Sequence, residues 1–292
     1  MGSKFLDRLS HKSSTLIAQG PMGTMLMSQL NAKDVPPSYW NIGEPITVEY
    51  LHRMYCYAGA EVMITNSFQA NARNLKEDDV FASVSEVCTF AVRNALIQEG
   101  TYVLGSIGPV RGFDLTYRED TLEYREARQL YREQAYALLN AGAHGILLET
   151  FTSINQIAPA LQGVQDVSEG MPILVSFAVD SNGNLVGDGL SIEGAVVWTE
   201  KRKVASVCIN CCPLDTAMLV VPRLIDTATV PISVRPNAGK PFMNKEGELV
   251  WSNIDDELKE AAVVWKSLGV TLIGSCCGTT PVTTSIIAEA LQ

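Results

Sequence analysis

The chain has 292 residues, 47% of them hydrophobic and 18% charged, and a formal net charge of −10. That size builds a large core without disulfide staples. The acidic balance argues against nucleic acid and anionic membrane as partners, since both reward clustered Lys and Arg.

From the N-terminus, Lys4, Asp7, Arg8 and Lys12 interrupt any apolar leader, so no signal peptide is expected. No apolar run reaches about 18 residues, so no membrane span is expected. Seven cysteines are an odd number for a chain without an export signal. They fit reduced thiols in a cytoplasmic protein, where clustered thiols serve metal binding or catalysis.

Strands are predicted over 15–18, 61–65, 102–106, 145–148, 173–177, 205–209, 232–235 and 271–274. Each is an apolar run too short for a helix and bounded by polar residues, Gly or Pro. Between most of them, residues 47–57, 80–98, 124–139, 215–225, 254–267 and 281–291 carry apolar side chains at helical spacing. Ala58-Gly59 and Ala141-Gly142 close two of these helices, with glycine where a left-handed cap is favoured. Eight strands with no long polar linker point to one (β/α)8 TIM barrel over 1–292. A doubly wound open sheet is the alternative, because spacing does not prove closure. No Gly-rich dinucleotide fingerprint and no phosphate loop is present.

Barrels keep their chemistry in the loops after the strands. Those loops hold, in order, Gly20-Pro21-Met22-Gly23-Thr24, then Asn66 to Asn71, then Gly108-Pro109. Glu149-Thr150, Asn210-Cys211, Pro236-Asn237-Ala238-Gly239 and Cys276-Cys277-Gly278 follow. Cys211, Cys276 and Cys277 sit at the ends of two predicted strands. Three thiolates around one zinc leave a fourth position open, which suits a site that activates another thiol. The vicinal pair Cys276-Cys277 also admits a redox disulfide or a coincidence. Cys56, Cys88 and Cys208 read as core residues, and Cys212 as a bystander to the metal.

Glu149 is either a satisfied structural acceptor or an anchor for a cationic group. Asn66 and Asn237 are either turn formers or ligand contacts. The backbone N–H groups of Met22, Gly23 and Thr24 are positioned to cradle a carboxylate. His11, His52 and His144 lie outside the loops, so no histidine base is expected. Trp40 either plugs the barrel end or presents its π face to a methylated cation.

These motifs, with Thr65-Asn66-Ser67-Phe68, Ser106-Ile107-Gly108-Pro109 and Gly274-Ser275-Cys276-Cys277-Gly278-Thr279-Thr280-Pro281, resemble the homocysteine S-methyltransferase family. That family includes the homocysteine-binding domain of cobalamin-dependent methionine synthase and the betaine-dependent enzymes. The similarity runs from about Gly20 to Pro281. It implies a zinc site of Cys211, Cys276 and Cys277, and methyl transfer to the homocysteine thiol to give methionine. It implies that Glu149 helps hold the substrate amino group while amides near Gly23 hold its carboxylate. Asn237 would take the open zinc position before substrate arrives. Met22, Thr24, Asn66, Ser67 and Gln19 complete the candidate substrate contacts.

Two departures stand out. Betaine enzymes carry Tyr where this chain has Thr150. Family members usually have Asp-Gly where this chain has Gln19-Gly20, which points to a related thiol or to a different way of binding the amine. There is no Asp-x-His-x-x-Gly cobalamin signature. The expected donor is therefore S-methylmethionine, S-adenosylmethionine, betaine or a separate methyl-corrinoid protein. Alternatives are another thiol acceptor, a corrinoid-dependent demethylation component, or a non-catalytic zinc or redox-sensing protein.

Overall fold

A computed structural model describes residues 2–11, 14–28, 35–113, 118–245 and 249–292; Lys12 lies outside them. The elements in chain order are α1 (Gly2–Leu9), β1 (Leu16–Ile17), α2 (Gly23–Met27), α3 (Trp40–Gly43), α4 (Pro45–Tyr57) and β2 (Val62–Ile64). Next come α5 (Ala72–Glu77), α6 (Val84–Ala95), β3 (Tyr102–Ile107), α7 (Leu122–Asn140), β4 (Gly145–Phe151), α8 (Ile154–Gln165) and β5 (Ile173–Phe177). The chain continues through α9 (Ile192–Glu200), β6 (Ser206–Asn210), α10 (Leu214–Thr227), β7 (Ile232–Arg235), β8 (Phe242–Met243) and β9 (Leu249–Val250). It finishes with α11 (Asp255–Ser267), β10 (Leu272–Ile273) and α12 (Pro281–Leu291).

Eight parallel strands pair in the order β1-β10-β7-β6-β5-β4-β3-β2. The ends of that series meet. Ala18 bridges Val62, the Gln19 N–H donates to the Val62 carbonyl at 2.9 Å, and the Glu61 N–H donates to the Ile17 carbonyl at 2.8 Å. The sheet is therefore a closed (β/α)8 barrel, and the open doubly wound alternative is excluded. β8 and β9 form a small antiparallel hairpin outside it. Among the described residues, no helix is long and apolar enough to cross a membrane.

Side-chain alternation divides the barrel into layers. Leu16, Val62, Leu104, Leu147, Leu174, Cys208 and Leu272 point inward and form one apolar cluster. Phe5 and Leu9 of α1 join it, with Phe5 stacked at 5.1 Å on Tyr102 at the start of β3. They close the amino-terminal end of the barrel. Outward residues such as Ile146, Val175, Val207 and Val234 pack against Leu138, Val196, Val220 and Trp265 of the helices. Burying each such aliphatic side chain contributes about 1.5–3 kcal/mol.

Helix starts follow capping chemistry. Ser83, Thr121 and Ser153 each accept from the N–H three residues on. Ser83 is why the helix expected over 80–98 begins at Val84. Helices α8 and α9 were not predicted. Pro159 and Gly163 blur the pattern of α8, and α9 is apolar on nearly every side through Ala195, Val196, Val197 and Trp198. Strand β4 runs past its expected end at Leu148 to Phe151, with a register break between the two.

Candidate active site

Strands β3 to β7 each deliver one more inward residue above the leucine layer, and there the barrel turns polar. Ser106, Glu149, Ser176, Asn210 and Arg235 are all buried and come from five successive strands. Glu149 is 8% exposed and Arg235 5%. Both Glu149 carboxylate oxygens are engaged: Ser106 Oγ donates to one and Arg235 Nη2 to the other. Ser176 Oγ donates to Asn210 Oδ1 at 2.6 Å. Asn210 Nδ2 donates to Thr150 Oγ1 at 2.8 Å, to Cys211 Sγ at 3.4 Å and to Cys276 Sγ at 3.9 Å.

The three predicted thiols do converge on this rim. Cys211 Sγ lies 3.1 Å from Cys276 Sγ and 4.0 Å from Cys277 Sγ. All three sulfurs fall within 4.8 Å of one another, and they are the one such cluster found among the described residues. Zinc–thiolate bonds of about 2.3 Å in a tetrahedron place sulfur pairs about 3.8 Å apart, so the trio fits that ion. The sulfurs share their protons unequally. Cys276 is held well below the ordinary thiol range by hydrogen bonds from Cys211 and Cys277, helped by the charge of Arg235. Cys211 is pushed well above it by its hydrogen bonds to the same neighbours and by burial.

The backbone is bent to present these groups. Thr150 and Cys211 both have positive φ, 65° and 55°. Non-glycine residues in that region cost about 1–3 kcal/mol and persist where surrounding contacts hold them. Here the Thr150 N–H donates to Asn210 Oδ1, and its hydroxyl lies 3.7 Å from Cys211 Sγ. Cys276 N–H donates to the Pro236 carbonyl at 2.7 Å, and Ala238 N–H to the Cys277 carbonyl at 2.9 Å. Gly278 has φ +83°, and a Cβ there would meet the Trp251 ring at 2.3 Å. Only glycine completes the turn after the vicinal pair.

A cavity of about 300 Å³ opens above this layer. Met22, Gly23, Thr24, Gln19, Asn66, Glu149, Cys211, Cys276 and Cys277 all line it, with Arg235. A Cβ on Gly23 would meet nothing within 4 Å, so the turn leaves room for a ligand. Tyr55 Oη holds that turn by donating to the Pro21 carbonyl at 2.9 Å.

Two of these lining residues, Gln19 and Asn66, also bond protein groups, while Ser67 and Asn237 lie outside the lining. Gln19 Nε2 donates to the Ile64 carbonyl at 3.1 Å, and its Oε1 lies 2.9 Å from His52 Nδ1. Burial drives the His52 pKa down to about 3, so the ring is neutral and its Nδ1–H is the donor. Asn66 Nδ2 donates to the Pro37 carbonyl and, at 3.4 Å, to Asn41 Oδ1, tying the 37–41 segment to the rim. Ser67 is fully buried, donates to the Ser106 carbonyl and does not line the cavity. Asn237 is also absent from the lining, but its Oδ1 is buried without a partner among the described residues. Its backbone is pinned beside the trio, with the Asn237 N–H on the Cys212 carbonyl. Trp40 packs beside the Met22, Leu26 and Leu51 cluster and offers no face to the cavity. Phe5 and Leu9 plug the opposite, amino-terminal end.

Arg235 was missed from the sequence. The signal was present: a charged residue ends an apolar strand, as Glu149 nearly does in β4.

A family model described as homocysteine S-methyltransferase matches residues 16–291. Methionine synthase of Mycobacterium leprae is 32% identical over 286 residues, covering 91% of this chain. The chain spans about a quarter of the length of the mycobacterial methionine synthases it matches, 23% and 25%. Homocysteine S-methyltransferase of Escherichia coli K12 is 28% identical, covering 94% of this chain and 95% of that protein. The solved metallated form of the E. coli homocysteine methyltransferase MmuM superposes with a TM-score of 0.78 at 22% identity. It covers 94% of this chain and 96% of its own, a likeness of fold.

Proposed function

The chain belongs to the homocysteine S-methyltransferase family, and on that premise we propose that it moves a methyl group from a small donor or a methyl-corrinoid protein to the thiol of homocysteine, forming methionine. The observation that carries this reading is the convergence of Cys211, Cys276 and Cys277 at the mouth of a closed barrel. Their spacing suits zinc, and Asn237, whose N–H bonds the Cys212 carbonyl and whose buried Oδ1 has no partner among the described residues, suits a fourth, exchangeable position.

A zinc ion bound there supplies the positive charge that lets an incoming thiol lose its proton near neutral pH. The remaining work belongs to this chain's own residues. Cys211, Cys276 and Cys277 bring negative charge that keeps an acceptor sulfur electron-rich. Asn210 Nδ2 orients two of those sulfurs and holds Thr150 in its strained conformation. The backbone N–H groups of Met22, Gly23 and Thr24, at the open turn, suit the acceptor's carboxylate. The rim loops then hold the donor methyl in line with the acceptor sulfur, so rate comes mainly from proximity. Among the described residues lining the cavity the one carboxylate, Glu149, is held by Ser106 and Arg235, and no general base is required once the thiol is deprotonated.

The test is X-ray absorption at the metal edge, with and without homocysteine, beside a donor panel of S-methylmethionine, S-adenosylmethionine, betaine and a methyl-corrinoid protein. The expected result is three sulfur neighbours rising to four with homocysteine, and methionine formed with one donor. An unchanged metal shell at saturating homocysteine rejects the reading.

A further inference from the structure

We infer that Arg235 determines acceptor specificity: it withdraws Glu149 from amine recognition, so the acceptor is selected by its thiol and its carboxylate and not by an α-ammonium group. This rests on the thiol-methyltransferase reading above and deepens it.

Four observations carry the inference. Glu149 is the one carboxylate among the described residues lining the cavity. Its two oxygens already accept from Ser106 and Arg235, so a ligand ammonium would have to share an oxygen with a donor already in place. The guanidinium is as buried as the carboxylate, at 6% and 10% side-chain exposure, so solvent weakens their ion pair little and the carboxylate's charge is largely offset inside the site. The lining amides are largely committed to protein groups, leaving Ser38 Oγ as a buried lining hydroxyl with no partner among the described residues. Gln19 has both amide atoms engaged by Ile64 and His52, and Asn66 commits its amide nitrogen to Pro37 and Asn41.

Arg235 itself is under-used. It lines the cavity, and Glu149 is the one hydrogen-bond partner its guanidinium has among the described residues. A guanidinium carries five N–H donors arranged to meet a planar carboxylate. The wall below the thiols therefore favours an anionic group over a cationic one.

The experiment needs no methyl donor. The full chain is loaded with Co(II), and the sulfur-to-metal absorption band is titrated with three thiols. L-homocysteine carries both charged groups, 4-mercaptobutanoate only the carboxylate, and 3-aminopropane-1-thiol only the amine. Binding of 4-mercaptobutanoate within about threefold of homocysteine is expected, with the aminothiol weaker by about thirtyfold or more. Arg235→Met should shrink that carboxylate-over-amine ratio by about tenfold or more. If Arg235→Met does not fold, the wild-type comparison decides alone. Homocysteine binding about thirtyfold tighter than 4-mercaptobutanoate, with the aminothiol close behind homocysteine, would overturn the inference while leaving the methyltransferase reading intact. If no thiol changes the band, that reading fails and this inference falls with it.

Discussion

The two ends of this barrel are built on opposite principles. At the amino-terminal end, Leu16, Leu104, Leu147, Leu174 and Leu272 fill the interior and Phe5 with Leu9 seal it. At the carboxyl end, one inward residue further along β3 to β7, the interior holds a buried ion pair, a buried amide and two buried hydroxyls, with three thiols at the rim. The positive-φ residues Thr150 and Cys211 also lie there. Burial stabilises the first end. At the second, charges lose hydration and backbone is held in unfavourable conformations. That is the expected division when one face of a barrel keeps the fold and the other does chemistry.

The sharpest way to break the comparison is at the thiols. Cys211→Ser, Cys276→Ser and Cys277→Ser should each lose bound zinc and methyl transfer, while circular dichroism stays that of the folded chain. Cys56→Ser, on α4, should keep both. Metal analysis of the purified variants checks this, and full retention by the three ligand variants would sink the assignment. Truncation at the other end should do the reverse. Leu174→Ala is expected to cost about 2–5 kcal/mol in denaturant unfolding, with zinc stoichiometry unchanged in the folded fraction.

His52 sharpens the comparison by pH. Its folded-state pKa lies at about 3, below the ordinary value of 6.5, because burial penalises the charged ring. The unfolded chain therefore binds more protons between those values. The His52 contribution is fully present above pH 6.5 and is lost as pH falls toward 3, at up to about 1.4 kcal/mol per pH unit. His52→Gln should flatten the unfolding free energy between pH 5 and 7 relative to wild type; an unchanged slope would mean the ring is already charged in the folded state.

The smallest effect concerns strained backbone at and away from the rim. Lys203 has φ 57° at an exposed position after α9. Lys203→Gly should stabilise by about 0.5–1 kcal/mol. Thr150→Gly should give no such gain despite φ 65°, because Thr150 Oγ1 accepts from Asn210. Paired thermal melts compare the two, and equal gains would show that the rim strain is not held by that contact.

Much of this was legible in the chain. All eight barrel strands lie within three residues of their expected bounds, because each is a short apolar run between strong turn signals. The thiols were legible because a polarizable, reactive residue type stood at strand ends in adjacent positions. Helices α8 and α9 were not, since proline and uniform apolarity hide the helical period. Glu149 was flagged as an anchor or a satisfied acceptor, and its hydrogen bonds to Ser106 and Arg235 make it an acceptor already engaged.

By itself, the sequence determined which segments extend, which coil, and which chemical groups reach the carboxyl rim. These follow from local periodicity, capping and turn chemistry, which act over a few residues. The tertiary structure alone decided that the sheet closes through Ala18 and Val62, that Gln19 faces His52, and that Arg235 meets Glu149 across 86 residues of chain. Closure sets which inward side chains share one layer, and no local pattern encodes which charges meet there.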